Sequence, residues 1–262
     1  MRICLMIEGQ EGVSWEQWVA LARAAEDANL DGLFRSDHYR SIGRGDPAGS
    51  LDAWATLSAL AAITSRIRLG TLVSPVTFRR APVLAKMVTT VDHISSGRVE
   101  LGLGAGWFES EHTAYGFAFP PQRERLDELD RQLAEITRHW TEADDVWPKP
   151  VQQPHPPIIV GGSAKPRTVA AAVAHADEYN TVWPTVEEAR ERKQRLDEAA
   201  AAAGRDPLRC SIMIKLEGSI DELEERLRAY EEVGVERVML QHLEHEDLER
   251  VAELGELAAR LR

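Results

Sequence analysis

Apolar positions along the chain switch repeatedly between short runs and longer segments with a 3.6-residue period. Eight short runs predict strands over residues 2–8, 32–37, 68–74, 98–105, 157–162, 178–182, 210–216 and 237–242. The intervening periodic segments predict helices over residues 14–29, 51–64, 81–94, 123–140, 166–174, 185–203, 220–233 and 246–260. Strict alternation of the two patterns indicates a parallel sheet.

Eight strand–helix pairs within 262 residues favour one closed (β/α)8 barrel, the TIM-barrel architecture, which needs roughly 250 residues. An open, doubly wound sheet of the Rossmann type is the alternative architecture. No linker or compositional break divides the chain, so we expect a single domain over residues 1–262. Two long connections stand out, a glycine-containing loop at 41–50 and the stretch at 106–122.

Composition restricts the possible partners. The net charge of −12 and the lack of a Lys/Arg-rich stripe argue against nucleic-acid binding. No segment approaches the roughly 20 apolar residues of a membrane helix, and no signal peptide is visible, so we expect a cytoplasmic protein without membrane contact. Cys4 and Cys210 lie in apolar strand-like runs, which predicts buried free thiols.

Active sites of such barrels lie at the carboxyl ends of the strands. The second strand ends in Ser36-Asp37-His38. These neighbours cannot form a nucleophilic triad, because consecutive strand residues point to opposite faces. Asp37 and His38 suit hydrogen bonding to a cofactor and proton transfer, or alternatively a loop cap with a packed ring beneath it.

The ends of the third and fourth predicted strands are candidates for contact with a planar ligand. The sequence 71–74 (Thr71, Leu72, Val73, Ser74) predicts either a floor for a planar ring or ordinary barrel core. Glycines at 102, 104 and 106 let a ligand approach the backbone closely. Glu109 on the following connection is either an acid–base group or a solvated charge.

The fifth strand ends in Gly161-Gly162-Ser163, directly before a helix. Backbone N–H groups and the helix dipole favour a phosphate there, with Lys165 and Arg167 adding positive charge. The alternative is a glycine turn with a serine cap. His242 and His245 have helical spacing for a shared metal, but no third ligand follows, so we predict no metal site.

Four segments resemble the bacterial luciferase-like monooxygenase superfamily. They read SDHY at 36–39, SRIRLGTLVSPVTFRRAPVLAK at 65–86, DHISSGRVELGLGAGW at 92–107 and IIVGGSAKPRTVAAAVAHADEYN at 158–180. Within that superfamily the chain resembles oxidoreductases that use the deazaflavin coenzyme F420. The resemblance implies a barrel, in agreement with the strand count.

The resemblance also implies roles for individual residues. His38 and Glu109 would be catalytic, with His38 a proton donor or stabiliser. A non-proline cis peptide at Leu72-Val73 would back the cofactor ring. The predicted cofactor contacts are Asp37, His38, Thr71, Leu72, Val73, Ser74, Gly104, Ala105, Gly106, Trp107, Gly161, Gly162 and Ser163, the last three at a phosphate.

The implied activity is hydride transfer between coenzyme F420 and a small organic substrate. An FMN-dependent monooxygenase and a non-catalytic flavin or deazaflavin binder are the alternatives, because the same framework binds both cofactors. One departure from the superfamily is the very short connection KLEGSIDEL after the seventh strand, where related enzymes carry a long insertion. The cavity is therefore expected to be open there or closed by another subunit of a homodimer or higher homo-oligomer. Arg79 and Arg80 are expected either to meet an anionic substrate or the acidic tail of the cofactor, or to be surface charges.

Overall fold

Parallel strands and surrounding helices follow one another along the chain in the computed structural model, which describes residues 1–43 and 49–262. Residues 44–48, in the middle of the loop expected at 41–50, lie outside the described residues. The strands are β1 Arg2–Ile7, β2 Gly32–Arg35, β3 Arg68–Thr71, β4 Ser74–Pro75, β5 Val99–Gly104, β6 Ile158–Gly161, β7 Glu178–Val182, β8 Arg209–Lys215 and β9 Arg237–His242. The helices are α1 Trp15–Asp27, α2 Ala53–Ile63, α3 Ala81–Ser95, α4 Glu109–Tyr115, α5 Gln122–Thr141, α6 Pro166–His175, α7 Val186–Ala202, α8 Ile220–Glu232 and α9 Leu248–Arg260.

The sheet closes on itself. Its strand order is β3-β2-β1-β9-β8-β7-β6-β5-β4, and β3 also pairs with β5. This closing contact is parallel and sets Leu69 opposite Val99. The (β/α)8 barrel is therefore confirmed, and the open-sheet alternative is wrong.

The predicted strand 68–74 is interrupted in the middle. β3 and β4 together occupy one position in the barrel, and the peptide bond between Leu72 and Val73, which separates them, is cis. The cis peptide that the family resemblance implied is thus present. β3 pairs with β2, and β4 continues along β5 with Ser74 opposite Leu103.

Local sequence signals explain where several helices begin. Ser14, Thr185 and Ser219 are N-caps whose hydroxyls accept a hydrogen bond from the backbone three residues later. In each case the side chain of that third residue bonds back to the cap backbone, which completes a capping box. These caps fix the start of each helix relative to the preceding strand end.

The barrel has an apolar layer outside the sheet and a smaller one inside it. Side chains between the sheet and the helices form the large core, including the buried Trp18 and Trp54. Inside the barrel Met6, Phe34 and Met239 pack together with Cys4. Cys4 and Cys210 are both buried free thiols, as expected, and burial raises the pKa of each to about 12.

A buried ion cluster fills the barrel below the apolar layer. Arg237 donates to Glu100 at 2.7 and 3.0 Å and to Glu178 at 3.0 Å, and all three side chains are inaccessible to solvent. Burial raises the pKa of Glu100, but the charges and hydrogen bonds of Arg237 and Arg68 outweigh it and lower that pKa to about 2. Glu178 and Arg237 are the first residues of β7 and β9, so the cluster lies at the amino end of the barrel.

Two connections position the site. The stretch 106–122, interpreted from the sequence as a long connection, contains α4. This seven-residue helix is too short for its periodicity to be recognised in the sequence. The turn between β8 and α8, residues 216–219, is as short as expected.

Candidate active site

A cavity of about 850 Å³ opens at the carboxyl ends of the strands. We distinguish two walls in its lining. The first wall follows β2, β4, β5, β6 and α4 and includes His38, Leu72, Val73, Pro75, Gly104, Ala105, Gly106, Trp107, Glu111, Gly161, Gly162, Ser163 and Lys165. The second wall follows β7, β8, β9 and β1 and includes Asn180, Val182, Trp183, Met213, Lys215, Gln241, Leu243, Glu244, Glu8 and Gln10.

His38 and Glu111 form a hydrogen-bonded pair in this cavity. The distance from His38 Nδ1 to Glu111 Oε1 is 2.8 Å. The second carboxylate oxygen of Glu111 accepts from the Tyr39 backbone N–H at 3.0 Å. The rings of Trp107 and Phe108 meet the imidazole edge-on, with centroids 5.6 and 6.0 Å away. The ring of His38 is thereby held in one orientation at the cavity surface.

The surroundings of His38 favour its protonated form. Burial lowers the pKa of His38, but the hydrogen bond and charge of Glu111, with the charges of Glu8 and Asp37, outweigh burial and raise the pKa above its ordinary value. A protonated His38 donates from both ring nitrogens. Because the Nδ1–H donates to Glu111, the Nε2–H is the donor that remains available to a ligand.

Helix α4 carries Glu111 and is fastened to the rest of the site by the next residue. The buried His112 ring lies with Nδ1 2.8 Å from the Phe108 carbonyl oxygen, so Nδ1 must donate. Its Nε2 lies 2.6 Å from Thr77 Oγ1, which follows β4. These two contacts tie the start of α4 to the end of β4, and so fix Glu111 relative to His38.

Asp37 lies behind the first wall. Its buried carboxylate accepts from Ser74 Oγ at 2.6 Å and from the Arg79 guanidinium at 2.6 and 3.3 Å. Ser74 Oγ in turn accepts from Trp54 Nε1 at 3.0 Å. This network anchors β4 immediately after Leu72 and Val73, the two residues between β3 and β4, which we call the Leu72-Val73 bulge.

Arg79 belongs to the same network and does not face the cavity. It bridges Asp37 and Asp52 at 2.6 Å each, with its side chain 8% exposed. The two alternatives expected for Arg79, an anion site and a surface charge, are therefore both wrong. Arg80 is exposed and precedes α3.

Glycines make room for the bulge. A Cβ at Gly102 would overlap the carbonyl oxygen of Thr71, and one at Gly104 would lie 2.6 Å from a Val73 methyl group. Gly106 has a positive φ of 77°, which favours glycine. Glycine at these positions thus lets Leu72 and Val73 form an apolar floor close to the β5 backbone.

Gly161, Gly162 and Ser163 lie where β6 leads into α6, on the same wall as the floor. Lys165, the N-cap of α6, also lines the cavity. Arg167 does not join it, because its guanidinium binds Asp127 at 2.6 Å and Asp130 at 3.2 Å on α5. The positive charge expected at this strand end therefore comes from Lys165.

The second wall holds side-chain amides with unpaired oxygens. Gln241 Nε2 donates to Glu8 Oε1 at 2.6 Å, and Asn180 Nδ2 donates to Ser211 Oγ at 2.9 Å. Gln241 Oε1 and Asn180 Oδ1 are buried, and neither has a hydrogen-bond partner within the described residues. Glu8 also accepts from Gln10 Nε2 at 2.9 Å.

Most residues predicted from the sequence meet at this cavity. His38, Leu72, Val73, Gly104, Ala105, Gly106, Trp107, Gly161, Gly162 and Ser163 line it. Asp37, Thr71, Ser74 and Glu109 are not among its lining residues. Glu109 is exposed in the first turn of α4, and Glu111, two positions later, occupies the place beside His38.

No group of three or more His, Cys, Asp or Glu side chains within residues 1–43 and 49–262 is arranged to hold a metal ion. His242 Nε2 lies 3.1 Å from the Asp247 carbonyl oxygen, next to α9, and burial lowers its pKa. In the same part of the chain, none of the helices combines the length and apolar composition that crossing a bilayer requires.

Sequence comparison identifies relatives with two different cofactors. An uncharacterized protein of Mycobacterium tuberculosis is 32% identical over 226 residues, 81% of this chain and 77% of that protein. An F420-dependent glucose-6-phosphate dehydrogenase of Kineococcus radiotolerans is 38% identical over 120 residues, 45% of this chain and 35% of the enzyme. An FMNH2-dependent dimethylsulfone monooxygenase of Pseudomonas putida is 28% identical over 160 residues, 56% of this chain and 43% of the enzyme.

Solved structures share the fold over the full length. A monooxygenase from Streptomyces bottropensis superposes with a TM-score of 0.83 at 22% identity, covering 99% of this chain and 98% of that one. An F420-dependent secondary alcohol dehydrogenase with an F420–acetone adduct gives 0.85 at 16% identity, covering 100% and 99%. The family model for luciferase-like monooxygenases matches residues 2–261. The chain therefore belongs to the luciferase-like monooxygenase family.

Proposed function

We propose that this chain is an oxidoreductase that transfers a hydride between coenzyme F420 and a small organic substrate in the barrel cavity. The observation that carries the proposal is the His38–Glu111 pair, which lies on the same wall as the Leu72-Val73 floor. A proton-holding group beside an apolar, flat surface is what a ring cofactor with redox chemistry requires. The 38% identity to an F420-dependent dehydrogenase supports deazaflavin over flavin.

The residues of the first wall fit such a cofactor. The bulge at Leu72-Val73 presents apolar side chains, and Gly104 of β5 and Gly161 of β6 line the cavity beside it. We assign the ring to Leu72, Val73 and the segment 104–107. The cofactor phosphate is assigned to Gly161, Gly162 and Ser163, with Lys165 supplying positive charge before the first turn of α6.

The remaining predicted residues act through these contacts. Asp37 and Ser74 anchor β4, and Thr71 Oγ1 donates to the Gly102 carbonyl at 2.9 Å. They hold the floor against β5, which makes them positioning residues for the cofactor. Glu109 is exposed, and Glu111 takes the acidic role beside His38 in this proposal.

The division of chemistry follows from these assignments. When bound, a deazaflavin supplies the ring carbon that accepts or gives up a hydride. The chain orients the ring, excludes water from its floor and holds a proton on His38. Glu111 keeps that proton in place by raising the pKa of His38, against the effect of burial.

FMN-dependent monooxygenation is the second candidate, because a relative 28% identical over 160 residues uses reduced FMN. Titration of the purified chain with F420 and, separately, with FMN compares the two candidates through quenching of cofactor fluorescence. We expect saturable micromolar binding of F420 and at least tenfold weaker binding of FMN. The reverse order would favour the monooxygenase, and no binding of either would refute both. Bound F420 that no substrate reduces or oxidises would instead indicate a non-catalytic binder.

A further inference from the structure

The second wall presents a hydrogen-bond acceptor whose orientation is fixed. Gln241 Nε2 lies 2.6 Å from Glu8 Oε1, and an ionised carboxylate oxygen can only accept. The amide nitrogen must therefore face Glu8, which leaves the amide oxygen on the other side. Gln241 is 7% exposed, and its Oε1 has no partner within the described residues although the residue lines the cavity.

The side chains bonded to one another beside Gln241, namely Glu8, Gln10 and Ser36, offer this oxygen no free donor, and Lys215 on the adjacent strand does not bond it either. Glu8 carries no donor in its ionised form, and its Oε2 already accepts from Gln10 Nε2 at 2.9 Å. The Ser36 hydroxyl donates to Gln10 Oε1, so it is not available as a donor to Gln241 Oε1. A buried acceptor without a donor is costly, and a donor on a ligand removes that cost.

Apolar side chains surround the acceptor along the same wall. Val182, Met213 and Leu243 line the cavity at the ends of β7, β8 and β9. Trp183 follows Val182 and is 56% exposed. The short turn at residues 216–219 leaves this wall uncovered by any insertion after β8. A ligand with an apolar body can therefore reach it from solvent.

The charges of this wall disfavour an anionic ligand. Glu8 and Glu244 both line it. Lys215 also lines it, but its ammonium lies 3.6 Å from Glu217 Oε1. Lys165 is on the opposite wall, next to the proposed phosphate position. A carboxylate or phosphate on the ligand would face the carboxylates of Glu8 and Glu244. Lys215, which already has Glu217 beside it, is the cation of this wall that could offset the repulsion.

We infer that the second wall binds a neutral, apolar alcohol whose hydroxyl donates to Gln241 Oε1. The apolar part of the alcohol contacts Val182, Met213 and Leu243. A neutral alcohol as the substrate class rests on the proposed hydride transfer. Binding of the alcohol, in contrast, needs only side chains of this chain and no cofactor. Gln241 is accordingly a specificity-determining residue.

Ligand-observed NMR titration tests this with four probes that share one ring: cyclohexanol, its methyl ether, cyclohexanecarboxylate and cyclohexylammonium. The ether keeps the oxygen but cannot donate. We expect the wild-type chain to bind cyclohexanol about fivefold more tightly than the ether, the effect of one net hydrogen bond, and more tightly than either ion. Gln241→Met should remove the preference for the alcohol over the ether.

Gln194→Met is the matched control, because Gln194 lies on the exposed face of α7 and bonds Glu198. It should retain the full preference. Gln241→Asn, which withdraws the acceptor by one methylene, replaces Gln241→Met if that variant does not fold. Equal binding of alcohol and ether by the wild type, an unchanged preference in the Gln241 variants, or tighter binding of either ion would overturn the inference.

Running each titration with and without saturating F420 separates this inference from the proposed function. Alcohol preference in a chain that does not bind F420 would refute the cofactor and leave the alcohol site standing. F420 binding without any alcohol preference would refute the alcohol site and leave the cofactor standing.

Discussion

Glu109 and Glu111 show how about half a helical turn separates a solvated charge from a functional one. Two positions apart on α4 correspond to about 200° around the helix axis, so the side chains point in nearly opposite directions. Glu111 is buried against His38 and Tyr39, whereas Glu109 is exposed. The proton-holding property of His38 therefore depends on Glu111.

Glu111→Gln should lower the pKa of His38. The amide removes the negative charge that raises this pKa, and leaves burial, which lowers it, less opposed. NMR titration of the His38 imidazole measures the change directly. In an activity profile the transition that belongs to His38 should move to lower pH, because a lower pKa means that the proton is lost earlier as pH rises.

Glu109→Gln is the matched control, since it makes the same chemical change two residues away. It should leave the titration of His38 where it is in the wild type. A larger shift in Glu109→Gln than in Glu111→Gln would contradict the assignment of Glu111.

Part of the candidate site at this scale could be predicted from the sequence. His38, the Leu72-Val73 floor and the segment 161–163 could be predicted, because strand ends converge in a barrel and these residues follow strands. Glu111 could not, because its position depends on a short helix that tertiary contacts of His112 hold in place. Gln241 was missed because an unpaired acceptor is visible only when all its neighbours are known.

At the scale of the element, the break between β3 and β4 and the glycines of β5 belong together. The predicted uninterrupted strand 68–74 was wrong, because the chain leaves the ladder at Leu72-Val73 and re-enters it at Ser74. Hydrophobic periodicity cannot show such a break, since the residues on both sides remain apolar or buried. Gly102 and Gly104 are the sequence signal that the bulge lies close to β5. From the sequence alone they predicted room for a ligand, because the bulge that fills this space is not visible there.

Gly102→Ala should destabilise the protein by about 1–3 kcal/mol, the usual cost of overpacking a closed interior. The new methyl group would overlap the Thr71 carbonyl, and backbone cannot rotate away as a side chain can. Urea unfolding followed by circular dichroism gives the free energy of unfolding.

Gly49→Ala serves as the comparison, because a Cβ there would have no heavy atom of residues 1–43 or 49–262 within 4 Å. Its free energy of unfolding should stay within about 0.5 kcal/mol of the wild type. Equal losses in the two variants would contradict the close packing of β5 against the bulge.

For the whole molecule, the barrel was predictable because its signal is repeated eight times along the chain. Each strand–helix alternation carries weak information, but their number and the chain length together select a closed barrel. The buried ion cluster was not predictable, because Glu100, Glu178 and Arg237 are far apart in sequence. Charged residues within strands become interpretable only when the closed barrel brings them together.

Arg237→Met should cost about 3–5 kcal/mol of unfolding free energy, because it leaves the buried carboxylates of Glu100 and Glu178 without their shared cation. Arg190→Met, which removes an exposed partner of Glu187 on α7, should cost less than about 1 kcal/mol. Denaturant unfolding of both variants checks the contrast. Similar small losses would show that the cluster contributes little to closure of the barrel.

The central claim is that one wall of the barrel cavity holds the ring and phosphate of a deazaflavin. A crystal structure of the chain soaked with F420 tests it most directly. We predict the ring against Leu72 and Val73 with its redox-active edge toward His38, and the phosphate beside Gly161, Gly162 and Ser163. A ring bound along the second wall, or a phosphate at any other strand end, would contradict the account.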